Sequence, residues 1–299
     1  MSTTLNQMID EVRQSLAGYT LKQERINYLN VAIDSDDTTL TMGIGTNLAK
    51  GVVEIDDELV YAISFSTQDN SVTLAPGFGR GYDSTTAASH NQNTKVIFSP
   101  TFPRQAVKRA INDTIQAVFP RLYAVDSTTF TFNAATNTYA IPATADTITA
   151  VSWQTLGSSK EWIPMKRWRF DKNANTTEFA TGKTITIYDV VSPGRTVQVW
   201  YTKPATTLSN NSDVFTTVTG LPASCRDVIT WGAAYRLAAY QDAGRVTQTS
   251  PEADLIDTKV PTNASQGLSR FFFSNYQLRL EEEAAKLKDD YPIRLHYVN

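Results

Sequence analysis

Two histidines and one cysteine bound the chemistry open to this chain of 299 residues. They are His90, His296 and Cys225. The common zinc centres need several Cys or His ligands close together, so a Cys/His zinc site is effectively excluded. Ser89, His90 and Asp83 carry the residue types of a hydrolytic triad. They lie within one loop, however, and neighbours in sequence rarely reach triad geometry. No GxSxG, GxxxxGK[ST] or HExxH stretch occurs. Gly77-Phe78-Gly79-Arg80-Gly81 mimics a phosphate-binding glycine loop, but no βαβ unit follows it, and its glycines are read as turn geometry. The acidic run Glu54-Ile55-Asp56-Asp57-Glu58 could attract a divalent cation. It lacks the twelve-residue EF-hand pattern and is read as a solvated hairpin. Cys225 beside Arg226 has no histidine near it in sequence and reads as a buried small residue at a helix start. Lys166-Arg167-Trp168-Arg169, and Arg104 with Lys108 and Arg109, could meet nucleic-acid phosphates. With an acidic total, a solvated or interface face is the better reading. No catalytic residue, metal ligand or cofactor is assigned.

The totals narrow the class further. A net charge of −3 and a pI near 5.5 give no overall basic field for nucleic acid. Hydrophobic residues at 41% with aromatics at 10% suffice for a real core and exclude global disorder. The length suits two or three units of ordinary size. One cysteine permits no intramolecular disulfide, which fits a reducing compartment or a fold that needs no crosslink. The start, MSTTLNQMIDEV, has neither the basic n-region nor the apolar run of a signal peptide. No window approaches the roughly 20 apolar residues of a membrane span. The chain therefore reads as a soluble protein made in the cytosol.

These side chains are positioned by helices at both ends and the middle, with β between them. The clearest helix falls in residues 100–125. There Val107, Ile111, Ile115, Val118, Phe119 and Leu122 recur at three- and four-residue spacing, Pro103 suits the first turn and Pro120 the stop. Leu5, Met8, Ile9, Val12 and Leu16 form a similar stripe, and residues 21–29 are read as a second short helix. Period-two runs then predict five or so short strands over residues 39–99, with Asp56-Asp57 as a tight turn and residues 76–94 as a loop. Six more strands are predicted between residues 129 and 202, one of them continuous over 162–170. Residues 208–220 read as a linker or edge strand, and Pro222 opens a helix to about residue 242. An extended stretch over 245–267 precedes a last helix over 268–290 with the stripe Phe271, Phe272, Tyr276, Leu280, Ala284 and Leu287. The expected fold is α+β: a bundle of N-terminal, central and two C-terminal helices carrying two inserted antiparallel β units, one small and barrel-like, one sandwich-like. The expected segments are residues 1–35, 36–100, 101–126, 127–207 and 208–299.

One ordered set of motifs is not generic. Glu54-Ile55-Asp56-Asp57-Glu58-Leu59-Val60 is followed by Arg80-Gly81-Tyr82-Asp83-Ser84-Thr85-Thr86-Ala87-Ala88-Ser89-His90, by Thr94-Lys95-Val96, then by Pro103-Arg104 and Ala110-Ile111-Asn112. This order resembles the neck proteins of tailed bacteriophages, the head-to-tail adaptors beneath the portal. Their pattern has an acidic IDDE hairpin, an RGxxGTxAAxH loop and a helix starting near PR…AIN. The resemblance is closest over residues 40–125 and looser over the C-terminal helices. Ser84 and Asn93 stand where the pattern has glycine. The resemblance implies a non-enzymatic virion protein of the neck, made in the bacterial cytoplasm. It would form a twelve-fold homo-oligomeric ring between the portal and tail or head-closure proteins, passing double-stranded DNA without reading its sequence. On that reading Tyr276, Leu280, Leu287, Tyr291, Ile293, Arg294, Leu295, His296 and Tyr297 dock on the portal. Arg80, Tyr82, His90, Arg104, Lys108 and Asn112 make subunit contacts, and Glu54, Asp56, Asp57 and Glu58 line an acidic channel. Neither membrane nor cofactor is involved. The alternative is a tail or baseplate component whose β domain binds a partner or a glycan.

Overall fold

The computed structural model describes residues 3–17, 24–157, 160–239 and 264–292. Strands in three antiparallel sheets dominate these residues, and the helices are the minor part. This overturns the expected helical bundle with small β insertions. The apolar stripes are real: Leu5, Met8, Ile9, Val12 and Leu16 are fully buried, as are Val107, Ile111 and Ile115. A stripe, however, says only that a helix buries one face, not that the partner is another helix. The chain divides into two compact units, residues 6–113 with 230–273, and residues 1–5, 114–229 and 274–299.

In the first unit, helix α1 (Leu5–Ala17) contributes residues from 6 onward. It is followed by β1 (Arg25–Tyr28), β2 (Thr39–Thr41), β3 (Gly51–Ile55), β4 (Glu58–Ser66), β5 (Ser71–Leu74) and β6 (Lys95–Phe98). They form one sheet in the order β1-β6-β3-β4-β5-β2. A bridge between Leu29 and Met42 joins the two edges, with Asn30 N–H to Thr41 O at 2.8 Å and Gly43 N–H to Tyr28 O at 2.8 Å. The sheet thus closes on itself and hides both edges. Leu29, Leu40, Met42, Val53, Ile55, Val60, Val72, Val96 and Phe98 fill its interior. The helix expected over 21–29 is replaced, from residue 25, by β1. Pairing of Arg25–Tyr28 with β6 satisfies that backbone and overrides a weak helical preference.

Helix α2 (Arg104–Ala117) follows, and the carbonyl of Pro103 accepts from the Val107 amide at 3.0 Å. Beyond it, β7 (Ala124–Thr131), β9 (Thr147–Gln154), β10 (Trp162–Pro164) and β13 (Thr196–Lys203) form a sheet in the order β10-β9-β13-β7. The strands β8 (Thr138–Ala140), β11 (Trp168–Asp171) and β12 (Thr184–Ile187) form another, in the order β11-β12-β8. The two share one core that includes Ile141, Ile148, Val151, Trp168, Ile185, Ile187, Val197 and Val199, and so make a sandwich. The single strand expected over 162–170 is split between the sheets. Met165 turns inward at 2% exposure, and the Asp189 carboxylate holds the amides of Lys166 and Arg167 at the crossing (2.7 and 3.2 Å).

The segment expected as a linker or edge strand contains helix α3 (Phe215–Thr219), ended by Gly220 at φ 72°. Helix α4 spans Arg226–Ala239 and helix α5 spans Ala264–Asp290. The extended stretch expected over 245–267 lies outside the described residues up to 263, and 264–267 are helical. Among the described residues, no helix is long and apolar enough to cross a membrane.

Candidate functional site

The hairpin β3–β4 and the loop after β5 build a buried, heavily charged site. Ile55 pairs with Glu58 across the two-residue turn Asp56-Asp57, where Asp56 has φ 51°. That turn fixes Glu58 inward at 1% exposure, under the loop. Glu58 accepts five hydrogen bonds. Arg80 donates two, Nε at 2.8 Å and Nη2 at 2.9 Å. The amides of Gly81 and Ala88 donate at 2.9 and 3.1 Å, and His90 Nε2 lies at 2.9 Å. Arg80 is saturated in turn, since it also donates to the carbonyls of Asp34, Asp37 and Ala88. The other ring nitrogen of His90 lies 3.0 Å from Asp56. Burial works against charge on His90, but Asp56 and Glu58 push its pKa up to about 9. Burial likewise opposes charge on Glu58, yet His90, Arg80 and the two amides bring its pKa down to about 2.

The chemistry follows from those charges. An imidazolium clamped by two carboxylates has no lone pair with which to accept a proton. In that state it crosslinks the loop to the hairpin and is no general base. Neither Ser89 nor Asp83 bonds the ring. Among the described residues, no cluster of His, Cys, Asp and Glu could hold a metal ion.

Glu54, on the same hairpin, is 2% exposed and faces α1 and α2. Arg13 grips it through Nη2 at 2.9 and 3.0 Å, and the amide of Arg104 donates to it at 2.6 Å. A carboxylate at that helix start satisfies an amide without an intrahelical partner and sits favourably in the helix dipole. Burial nonetheless raises its pKa against the pull of Arg13. The Arg104 side chain reaches Asp57 at 3.2 Å, Asp10 at 3.6 Å and Asn6. The solvated-hairpin expectation is therefore corrected for half of the run. Glu54 and Glu58 are buried ion-pair members, whereas Asp56 and Asp57 keep side-chain exposures of 62% and 40%. Arg80 and His90, expected at subunit contacts, are buried inside the unit. Tyr82 is half-buried beside Tyr61 at 5.1 Å, and Lys108 and Asn112 are half-buried on α2.

The two positions that depart from the glycine pattern both adopt left-handed backbone, Ser84 at φ 64° and Asn93 at φ 66°. Serine is strained there, and asparagine less so. Ser84→Gly is expected to raise stability by about 0.5–1 kcal/mol and Asn93→Gly to change it by less, read as shifts of the urea midpoint.

The C-terminal stretch places its residues differently from the docking expectation. Tyr276, Leu280 and Leu287 are 8%, 4% and 3% exposed, so they pack within the subunit. Tyr291 is 40% exposed, whereas Ile293, Arg294, Leu295, His296 and Tyr297 lie outside the described residues. Glu283 is 2% exposed and ties α5 to the turn before α4. It accepts from Lys286 at 2.6 Å, from Arg279 at 3.1 Å and from Ser224. Cys225, in that turn, is buried, and burial with the Glu283 charge pushes its thiol up to about 12, so it is inert. Sequence reasoning missed Arg13 and the buried role of Glu283. The available signal was position: Arg13 borders the α1 stripe, and Glu283 falls on the α5 stripe between Leu280 and Leu287.

The family model of the SU10 adaptor protein matches residues 84–265, more than half of the chain, and the chain belongs to that family of bacteriophage structural adaptors. The match begins inside the Arg80–His90 loop and takes in the whole sandwich, beyond the stretch of closest sequence resemblance. No curated protein matches the chain.

Proposed function

We propose that the protein is the head-to-tail adaptor of a tailed phage, a homo-oligomeric ring beneath the portal. Twelve-fold symmetry is the reading carried over from the resembling neck proteins. The observation that carries the proposal is the adaptor-family match over residues 84–265. In this role it joins the capsid to tail or head-closure proteins in the virion neck and gives double-stranded DNA a passage. The exposed acidic turn Asp56-Asp57 is the part of the hairpin able to face such a passage, where negative charge repels phosphates and lets the duplex slide. Portal docking is assigned to residues 291–299, because Tyr276, Leu280 and Leu287 before them are buried within the subunit. In the ring, Arg104, Lys108 and Asn112 on α2 make subunit contacts.

Native mass spectrometry of the chain with a cognate portal tests this directly. A closed ring on the portal is expected, and a chain that remains monomeric or trimeric beside it refutes the proposal. Removing residues 291–299 is expected to weaken portal binding at least about tenfold, roughly 1.4 kcal/mol, with an unchanged melting curve. Unaltered binding refutes that docking segment.

A further inference from the structure

The outer face of the three-stranded sheet carries a pocket that the adaptor reading does not use. Cross-strand pairing puts Arg169, Thr186 and Thr138 in one row, with Asp171 and Thr184 in the next. The segment 172–182 folds over this face, with Ala174 N–H to Gly182 O at 3.0 Å and Gly182 N–H to Phe179 O at 2.8 Å. Beneath it lies a pocket of about 260 Å³ whose lining includes Phe179, Asn175 and Tyr188. That volume is under the roughly 300–1,000 Å³ of sites for drug-sized ligands, which limits the occupant to about one ring.

The lining selects the ligand by exclusion. Arg169 and Asp171 alternate onto the same face, so donor and acceptor charge stand side by side. Among the described residues, the Arg169 guanidinium makes no ion pair or hydrogen bond. One Asp171 oxygen accepts from the Asn173 amide at 3.0 Å, which leaves the other open. Asn175 uses its carbonyl oxygen on the Thr177 amide at 3.0 Å, leaving its NH₂ as donor. The hydroxyls of Thr138 and Thr186 lie 3.0 Å apart and add both donor and acceptor capacity. A free anion meets Asp171, a free cation meets Arg169, and an apolar ligand would strand all of these groups unpaired. What satisfies them is a neutral molecule with adjacent hydroxyls, each able to give and accept. The rings of Phe179 and Tyr188, the latter 38% exposed, offer apolar surface for its C–H face.

We propose that this pocket binds one neutral hexopyranose unit of a glycan, with Asp171 accepting from one hydroxyl and Arg169 donating to its neighbour. The inference stands on the pocket alone, so its failure leaves the adaptor reading intact. Saturation-transfer NMR on the full chain tests it, with the methyl glycosides of glucose, galactose, mannose, rhamnose and N-acetylglucosamine as probes. Transfer to at least one glycoside with millimolar affinity is expected. Asp171→Asn keeps an oxygen for the Asn173 amide and is expected to weaken binding at least about tenfold, as is Arg169→Met. Tyr188→Ala, at an exposed position, serves should either variant fail to fold. Silence from all five glycosides overturns the proposal, as does transfer unchanged in the variants. Displacement of the sugar by inorganic phosphate also overturns it, because it would mark an anion site.

Discussion

Replacing Glu58 with alanine is expected to destabilise the six-stranded unit by about 3–5 kcal/mol, the range for removing one partner of a buried ion pair. The size follows from what is left behind. Arg80 and His90 have side-chain exposures of 9% and 4%, and both would keep their charge without its chief counter-ion. The amides of Gly81 and Ala88 would lose their acceptor as well. Asp56 holds the same histidine but is 62% exposed on its side chain, so Asp56→Ala is expected to lose under about 1 kcal/mol. Urea titrations of both variants give the comparison. Adding Arg80→Met to Glu58→Ala should recover part of the loss, because the stranded guanidinium goes too. A Glu58→Ala protein within about 1 kcal/mol of its parent would falsify the crosslink. The loop between β5 and β6 would also exchange its amide hydrogens faster in this variant, with Gly81 and Ala88 leading.

That crosslink shows what the sequence could and could not convey. The elements were legible where periodicity is local. The α1 stripe and the central helix are buried as spaced, and Asp56-Asp57 closes the hairpin. The partner of a stripe is not local, which is why four helices from distant parts of the sequence suggested a bundle that the sheets displace. The strand at Arg25–Tyr28 was hidden for the same reason, since only its pairing with β6 makes it a strand. Within the site, the residues Glu54, Asp56, Glu58, Arg80 and His90 were all visible as a motif, but their burial was not. Acidic residues in a hairpin are ordinarily solvated, and only the distant Arg13, Arg80 and His90 make burial of Glu54 and Glu58 tolerable. The one backbone signal available was the pair of glycine departures, and both positions prove to be left-handed. The pocket on the three-stranded sheet had no sequence signature, because Arg169, Thr186 and Thr138 meet only through strand register.

The same cluster makes stability depend on pH in a way whose sign is fixed. His90 rises from 6.5 unfolded to about 9 folded, so its contribution is fully present below pH 6.5 and is lost as pH climbs through 9. Glu58 falls from 4.5 to about 2, so its contribution is fully present above pH 4.5 and is lost as pH drops towards 2. The two displacements share the His90–Glu58 contact, which counts once in any total. Glu54 acts in the opposite sense. Its raised pKa means that protonation costs the fold less than it costs the unfolded chain, which makes the acid limb shallower. The alkaline limb is therefore the cleaner test. At roughly 1.4 kcal/mol per pKa unit, stability is expected to fall by about 3 kcal/mol between pH 6 and pH 10. His90→Gln is expected to start lower and to show a flatter alkaline limb, since a neutral amide has no proton to lose. An alkaline limb equally steep in that variant would assign the titration to another group and leave His90 neutral in the folded protein.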